Sequence, residues 1–189
     1  MLPSFHNADL LKRALTHSSY LNEHPELPRE ADNERLEFLG DSVLDFVVAE
    51  YLFQHYPEFA EGRLTSIRAA LVRMESLSEY ANQLGLGTEV RLGKGEAETG
   101  GRARMSLLAD AFEAVIGALY LDQGLEPVKN FIGPFITAEA ERIVSEQKDR
   151  DAKSILQEWC QAERNTTPYY RTIDASGPDH AKWFTVEVY

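Results

Sequence analysis

Hydrophobic residues recur every three or four positions through the first three quarters of the chain. That spacing places them on one face of an α-helix, whereas a half-buried strand alternates every second residue. Six helical segments are predicted, with prolines and glycines between them, and no strand is predicted before residue 147. The predicted segments cover residues 10–15, 36–54, 64–74, 77–84, 107–121 and 128–144.

The pattern changes after residue 146, which predicts a second and smaller domain. Residues 147–151 are all polar and are typical of a linker. Beyond the linker we predict a short helix and two strands rich in aromatic and β-branched residues, at 152–162, 169–173 and 183–189.

The last predicted strand carries the alternation of a half-buried strand, because Phe184, Val186 and Val188 are separated by Thr185 and Glu187. The predicted fold class is therefore an all-α domain at residues 1–146, joined by the linker to a small α+β domain of the order α-β-β at residues 152–189.

Composition is typical of a soluble globular protein and argues against a membrane protein. Hydrophobic residues make up 43% of the chain and charged residues 26%, both ordinary values for that class. The most apolar segment, residues 43–53, is interrupted by Asp45 and Glu50, so we expect no membrane span. A single cysteine, Cys160, excludes an intrachain disulfide and favours the cytoplasm.

The net charge of −12 argues at first against a nucleic-acid partner. Residues 1–146 hold 24 acidic and 13 basic residues, so nearly all of the excess lies in the predicted helical domain. Solvated acidic surfaces would explain it. The alternative is that some of the excess acidic residues form a cation site. The positions of the acids in the sequence must decide between these two explanations.

Three acids lie on one stripe of the second predicted helix. Glu34, Glu37 and Asp41 are spaced by three and four residues, after Asp32 or Asn33 as a helix cap. The rest of this helix is apolar nearly all round, which predicts a buried helix. Buried carboxylates without partners must take up a proton, pair with a cation or bind a metal.

A later apolar helix repeats this arrangement with Asp110 and Glu113. Gly117 on that helix and Gly40 on the first would let the two backbones approach closely. Packed face to face, the helices would bring Glu37, Asp41, Asp110 and Glu113 together as an all-oxygen group that suits Mg²⁺ or Mn²⁺. The alternative is ordinary ion pairing of these acids with Arg35, Arg68 or Arg73.

Two segments also resemble the motifs of a known family. Residues 33–44, NERLEFLGDSVL, closely resemble the signature of the ribonuclease III family, and residues 108–114, LADAFEA, resemble its second acidic motif. Weaker matches are residues 14–19, 61–62 and 91–96.

The resemblance implies a metal-dependent endonuclease that hydrolyses double-stranded RNA and leaves short 3′ overhangs with 5′-phosphate and 3′-hydroxyl ends. It implies Mg²⁺ as the cofactor, with Mn²⁺ as a substitute, and processing of rRNA, mRNA and tRNA precursors as the role. The implied metal residues are Glu37, Asp41, Asp110 and Glu113, of which Asp41 and Glu113 also orient the attacking water.

Other residues take expected roles by the same resemblance. Glu34 and Glu61 match auxiliary acids at the edge of the site, although a structural role is equally open for each. The family acts as a homodimer, and Phe38 matches the aromatic that inserts into the partner subunit. Without the resemblance, a place in the core of the monomer would be the better expectation for Phe38.

Residues 93–104 are predicted to form a flexible glycine-rich loop, in which Arg102 and Arg104 resemble RNA-backbone contacts; a solvated loop is the alternative. Thr16, His17 and Ser18 are expected to hold a helix end, with direct substrate contact as the alternative. Asp45 extends the acidic stripe but matches no acid of the family, so we expect it at the surface or paired.

The last segment resembles the beginning of a double-stranded-RNA-binding domain, a module that reads duplex RNA by its shape. Gln157, Glu158 and His180 occupy its minor-groove contact positions. The third strand and second helix of such a domain are absent from the sequence, so we expect a partial domain that binds RNA weakly.

Two other functions compete with cleavage. A catalytically inactive relative, binding double-stranded RNA or the ribosome, would be expected to have lost acids that this sequence retains. A di-iron carboxylate bundle needs Glu-x-x-His pairs, whereas Glu113 is followed three positions later by Ile116.

Overall fold

The computed structural model describes residues 2–146, 152–178 and 182–189. The chain divides into two compact units, Met1–Asp149 and Arg150–Tyr189. The predicted fold class is confirmed: helices form the first unit, and one helix and two strands form the second.

The described helices of the first unit include all six that the sequence predicts, with ends shifted by a few residues, and three short ones in addition. They are α1 (Ala8–Ala14), α2 (Ser18–Leu21), α3 (Glu34–His55), α4 (Glu61–Val72), α5 (Met74–Gln83), α6 (Leu86–Glu89), α7 (Lys94–Glu98), α8 (Met105–Gln123) and α9 (Leu125–Ser145), with 3-10 turns at Arg29–Ala31 and Gly101–Ala103.

Helix α8 is the centre of the first unit. Helices α3 and α5 make the most extensive contacts with it, and eleven of its residues are buried. Phe112 of α8 lies among Tyr80, Phe131 and Phe135, with ring centroids 5.3 to 6.2 Å apart. Gly124, at a φ of 81°, ends α8 in a conformation that other residues rarely adopt. The packing of α8 in the core therefore fixes the positions of the polar residues that this helix carries.

Helix α3 lies against α8 and α4. It begins after the buried Asn33, one of the two predicted caps, but the side chain of Asn33 makes no capping hydrogen bond. The prediction that α3 is buried nearly all round is wrong, because Phe38, Phe46 and Phe53 are exposed. Hydrophobic spacing shows that such residues need an apolar partner, but it does not show whether the same chain supplies that partner.

Residues 93–104 contain helical structure, so the prediction of a loop throughout this segment is wrong. They form α7 and a 3-10 turn. Arg104 pairs with Glu96 at 2.6 Å, and Nη1 of Arg102 donates to the carbonyls of Gly87 and Val90 at 2.9 Å. The two arginines thus hold this segment in place just before the start of α8.

The second unit contains α10 (Ala152–Arg164), β1 (Tyr170–Ser176) and β2 (Trp183–Val188). The strands are antiparallel, with Tyr170 opposite Val188 and a register shift after Thr172. All six residues of β2 are exposed, so the half-buried prediction is wrong. A sheet of two strands has few neighbours that could bury either face.

None of the helices that the structure describes is long and apolar enough to cross a membrane.

Candidate metal centre

Helices α3 and α8 approach each other closely at two glycines, as the sequence predicts. A Cβ atom on Gly40 would overlap the carbonyl oxygen of Glu113 and would lie 3.0 Å from the nitrogen of Gly117. A Cβ atom on Gly117 would overlap the carbonyl oxygen of Leu36. Only glycine at both positions allows this backbone contact, and it lies directly beside the acids of the two helices.

Three acids meet at this contact, Glu37 from α3 and Asp110 and Glu113 from α8. One carboxylate oxygen of each lies within 4.8 Å of the others, and all three side chains are partly buried. We call these three residues the carboxylate cluster. Because Asp110 and Glu113 are three residues apart on one helix, they share the face that α3 covers.

The carboxylate cluster resists ionisation. Burial raises the pKa of Glu113 to about 8, and the charges of Asp41, Glu37 and Asp110 add to the effect. Burial is also the main cause that raises the pKa of Glu37, followed by the charges of Asp110, Glu34 and Asp41. Burial raises the pKa of Asp110, which the nearby His17 opposes. The cluster therefore lacks compensating positive charge.

The described arginines and lysines do not supply that charge. No ion pair among the residues that the structure describes includes a member of the cluster. Arg68 instead pairs with Asp45 at 4.0 Å, and Arg73 pairs with Glu75 at 3.9 Å. The ion-pair alternative is thus wrong for the cluster, while the prediction that Asp45 is paired is confirmed.

The donor set fits a hard divalent cation. All the available donors are carboxylate oxygens, which Mg²⁺ and Mn²⁺ prefer, whereas thiolate or imidazole ligands would indicate a softer metal. The spacing of the oxygens lets one ion touch all three residues. Mg²⁺ also keeps several water ligands, which suits a centre to which the described part of the chain contributes three carboxylates.

The remaining predicted acids lie outside the cluster. Asp41 is exposed, one turn along α3 from Glu37, and its charge raises the pKa of Glu113. Glu34 is exposed in the first turn of α3. Glu61 begins α4 and accepts a hydrogen bond from Thr65 at 3.1 Å. A metal role for Asp41 and auxiliary roles for Glu34 and Glu61 stay predictions.

The residues predicted to contact RNA differ in their structural surroundings. The bonds of Arg102 and Arg104 described above give both a structural task, and contact with RNA stays a prediction for them. Gln157 is exposed on α10. The side chain of Glu158 and all of His180 lie outside the described residues.

Phe38 is 78% exposed on α3, so the alternative that placed it in the monomer core is wrong. It borders a hollow of about 530 Å³, which sequence patterns did not reveal. The hollow joins positions far apart in the chain, and no local spacing relates them. Its other lining residues are Arg13, Glu34, Arg35, Leu36, Leu39 and Leu121.

Without a divalent cation, the free energy of unfolding is expected to fall as the pH rises from about 5 to about 9. Glu113 keeps its proton in the folded state up to a pKa of about 8, whereas the unfolded chain releases it near 4.5. The folded state therefore binds more protons across this window, and stability declines with pH until both states are ionised.

Thermal unfolding in a chelator, at intervals of pH, measures this decline. Glu113→Gln is the matched control, because it cannot ionise, and its profile is expected to be flatter. Added Mg²⁺ is expected to raise the melting temperature of the unchanged chain most at high pH. Identical pH profiles for the two proteins would contradict the proposed coupling.

Comparisons with known proteins cover both units. Residues 7–140 match the Ribonuclease-III-like family model, and residues 152–189 match that of the double-stranded RNA binding motif. Ribonuclease 3 of Roseiflexus sp. (strain RS-1) is 50% identical over 98% of this chain and 78% of its own length. Ribonuclease 3 of Bacillus cytotoxicus is 49% identical over 98% of this chain and 75% of its own.

Solved structures show the same similarity. The nuclease domain of a Campylobacter jejuni ribonuclease III, described as flexible in a region involved in dimer formation, matches with a TM-score of 0.65 and 43% identity. The match covers 72% of this chain and 90% of that one. Dicer from Pichia stipitis, at 24% identity and a TM-score of 0.60, is similar in fold over 96% of this chain and 81% of its own.

Proposed function

This chain belongs to the ribonuclease III family, and from that premise we propose that its carboxylate cluster holds the divalent cation with which it cuts RNA. Endonucleolytic hydrolysis of double-stranded RNA is the activity of the family and of this chain. The inactive alternative has no support, since Glu37, Asp41, Asp110 and Glu113 are all present.

One observation carries the metal proposal. Three carboxylates from two helices are held together at a contact that only glycines permit, and no cation of the described chain pairs with them. Such an arrangement opposes folding unless something offsets the repulsion. A bound cation offsets it, so the cost of assembling the acids is recovered when the site is loaded.

Glu37, Asp110 and Glu113 would hold the cation. When bound there, a divalent ion offsets the negative charge on the phosphate and lowers the pKa of water. We assign the orientation of the attacking water to the carboxylates of Glu113 and Asp41, because the charge of Asp41 acts on the carboxyl group of Glu113 and raises its pKa. The water oxygen joins phosphorus, the bond to the 3′ oxygen breaks, and that oxygen takes a proton. The ends are a 5′-phosphate and a 3′-hydroxyl.

Mg²⁺ is the ion we propose, with Mn²⁺ as a substitute, because both accept all-oxygen ligand sets. A fully paired RNA duplex is expected to be cut in Mg²⁺ or Mn²⁺ and left intact in EDTA, while single-stranded RNA of the same sequence is not cut. Ca²⁺ provides a control in which duplex binding is measured without cutting. Cutting that persists in excess EDTA would rule out the cation, and an intact duplex in both active metals would rule out the activity.

We propose that the two units divide the work, with residues 1–146 cutting and residues 152–189 binding the duplex through exposed positions such as Gln157. The match of the second unit to a double-stranded RNA binding motif supports this division. Precursors of rRNA, mRNA and tRNA are the proposed substrates, by analogy with the family. A cytoplasmic location is consistent with the single, unpaired Cys160.

A homodimer is the proposed working form. The exposed ring of Phe38 borders a hollow of about 530 Å³ that is partly lined by Leu39 and Leu121. In a twofold arrangement, each copy would place its ring in the hollow of the other. Arg13 also lines the hollow, and its buried Nη2 has no hydrogen-bond partner among the described residues. An acceptor from the second copy would satisfy it.

Phe38→Ala is expected to weaken dimer formation strongly. Buried aromatic anchors contribute about 2 kcal/mol or more at interfaces, which corresponds to roughly a 30-fold rise in the dissociation constant. Sedimentation equilibrium across a dilution series measures this constant. Phe53→Ala is the matched control, because Phe53 is an exposed phenylalanine of the same helix outside the hollow. Equal constants for the two variants would contradict the assignment.

A further inference from the structure

The side chain of Arg102 joins the start of α8 to the end of α6. Its Nη1 donates to the carbonyls of Gly87 and Val90, both at 2.9 Å, and lies 3.4 Å from the carbonyl oxygen of Thr88. The last carbonyls of a helix have no partner within that helix, so one guanidinium satisfies several groups at once. Arg102 comes two residues before Arg104, the N-cap of α8. The entry to α8 is thus fixed against α6.

Arg102 and Gly87 also meet through their backbones. A Cβ atom on Gly87 would lie 2.2 Å from the carbonyl oxygen of Arg102 and 3.4 Å from Cδ2 of Leu108. Leu108 is a buried residue of α8, and its nitrogen donates to the carbonyl of Arg104 at 3.0 Å. Asp110 of the carboxylate cluster follows two residues later on this helix. Glycine at position 87 therefore lets α6 lie close against Arg102 and the first turn of α8.

The segment after α6 is hydrogen-bonded to the loop between α1 and α2. Nη1 of Arg91 donates to the hydroxyl of Thr16 at 3.2 Å, and the nitrogen of His17 donates to the carbonyl of Arg91 at 3.1 Å. Nδ1 of His17 accepts from the nitrogen of Ser19 at 3.2 Å, which confirms the expectation that His17 holds a helix end. Arg91 directly follows the last residue whose carbonyl accepts from Arg102.

The same loop is hydrogen-bonded to the start of α3. The nitrogen of Asn33 donates to the carbonyl of Thr16 at 2.9 Å, and the carbonyl of Asn33 accepts from the nitrogen of Glu37 at 2.9 Å. Glu37 belongs to the carboxylate cluster. Hydrogen bonds and adjacent residues therefore form a continuous path from the first turn of α3 to the segment that Arg102 holds at the start of α8.

This path is a second connection between the two helices of the metal centre. The contact at Gly40 and Gly117 brings their backbones together, but two rigid helices that touch at one place can still turn about it. The path through Arg102 joins the helices at their starts. Glu37 and Asp110 both lie between the start of their helix and the glycine contact. The two connections together therefore set the distance between these two carboxylates.

We propose that Arg102 is a positioning residue for the metal centre. Its guanidinium closes a strap, residues 87–91, that ties the start of α8 to the start of α3 and so sets the separation of Glu37 and Asp110. The inference rests on the proposed metal function of the carboxylate cluster. Ligands of metal sites are commonly held by a layer of groups behind them, and Arg102 acts in this way without touching the cation.

The prediction that Arg102 contacts the RNA backbone makes a different demand on the same side chain. An arginine that binds a phosphate strengthens duplex binding in a salt-dependent way and has no effect on the cation site when RNA is absent. A positioning residue acts on the affinity for the cation without RNA. Metal binding by the chain alone therefore separates the two roles.

Three substitutions in the full chain test the proposal. Arg102→Met keeps most of the apolar stem and removes every donor, whereas Arg102→Lys returns three N–H donors near the same place. Gly87→Ala breaks the same contact from the other side, because its methyl group overlaps the carbonyl oxygen of Arg102, and it removes no group that RNA could bind. Arg73→Met and Gly95→Ala are the matched controls. Arg73 pairs with Glu75, and a Cβ atom on Gly95 would have no neighbour within 4 Å.

The readouts are the affinity for Mn²⁺ without RNA, measured from the electron paramagnetic resonance signal of free Mn²⁺, the affinity for an RNA duplex in Ca²⁺, and the melting temperature in a chelator. Arg102→Met and Gly87→Ala are expected to bind Mn²⁺ about 10-fold more weakly, the lower end for residues behind metal ligands, with unchanged duplex binding. Arg102→Lys is expected to recover most of the Mn²⁺ affinity. Both controls are expected to match the unchanged chain. Mn²⁺ binding is measured well below each melting temperature, so that unfolded chain does not contribute.

An unchanged Mn²⁺ affinity in Arg102→Met would overturn the positioning role. Weaker duplex binding in that variant would then assign Arg102 to RNA, and a lower melting temperature alone would make it a stabilising residue.

Asp110→Asn distinguishes the two levels of failure. If Asp110→Asn loses Mn²⁺ affinity while Arg102→Met retains it, the positioning role is wrong and the metal function stands. If Asp110→Asn itself binds Mn²⁺ as the unchanged chain does, the proposed metal function is wrong and the role of Arg102 falls with it.

Discussion

Glu113→Gln is expected to lower the single-turnover rate of duplex cleavage by about 1,000-fold or more, while binding of the duplex in Ca²⁺ changes little. Glutamine has the shape of glutamate but carries no negative charge for a cation. Loss of a metal's contribution to the transition state amounts to several kcal/mol, and each 1.36 kcal/mol is a factor of about ten in rate. We expect the same direction for Asp41→Asn.

Unfolding cannot account for this loss. Glu113 is destabilising when it is ionised, because burial and four neighbouring acids raise its pKa to about 8. The neutral variant is therefore expected to melt no lower than the unchanged chain when metal is absent. Asp45→Asn is the matched control, since Asp45 lies on α3 and pairs with Arg68 outside the cluster. Its cleavage rate is expected within a few-fold of the unchanged chain. Full activity in Glu113→Gln would contradict the mechanism.

Gly40→Ala is expected to lower the free energy of unfolding by about 3 kcal/mol or more, the upper range for inserting a group into a packed core. The added methyl group would overlap the carbonyl oxygen of Glu113, which is backbone and cannot turn aside. Relief requires α3 and α8 to separate. The cluster would widen with them, so affinity for Mn²⁺ is expected to fall in whatever fraction folds.

Urea unfolding in a chelator measures this effect. Gly133→Ala is the matched control, since Gly133 also lies within a helix but has no atom within 4 Å of the added position. That change is expected to alter the free energy of unfolding by at most about 1 kcal/mol, because the helix preference of alanine is opposed by its position before Pro134. A similar loss of stability in both variants would show that the contact between the helices does not require Gly40.

The convergence of the acids could be predicted because every step was local. Residues three and four apart share a helix face, and small residues mark a close approach. Glu37, Asp41, Asp110 and Glu113 could therefore be expected to meet once α3 and α8 were paired. The pairing itself followed from the apolar character of the two helices. The structure confirms the meeting of Glu37, Asp110 and Glu113 and leaves Asp41 outside the cluster, while the function of these acids as ligands stays a proposal.

Contacts between residues far apart in the chain could not be predicted from the sequence. Nothing near Arg102 in the sequence indicates the carbonyls of Gly87 and Val90 that accept hydrogen bonds from its side chain. Exposure was also mispredicted for Phe46 of α3 and for β2. Removing an apolar side chain from water is favourable whichever chain provides the covering surface. The spacing of apolar residues along the sequence is therefore the same whether they pack within one chain or against another.

Anomalous diffraction from Mn²⁺-soaked crystals of the full chain tests most directly whether Glu37, Asp110 and Glu113 hold a divalent cation. We predict a manganese peak about 2.0–2.2 Å from one carboxylate oxygen of each residue, a distance near that of Mg²⁺–oxygen bonds, and a weaker peak or none in Glu113→Gln. Absence of a peak between these residues, at Mn²⁺ concentrations that support cleavage of duplex RNA, would contradict the proposed centre.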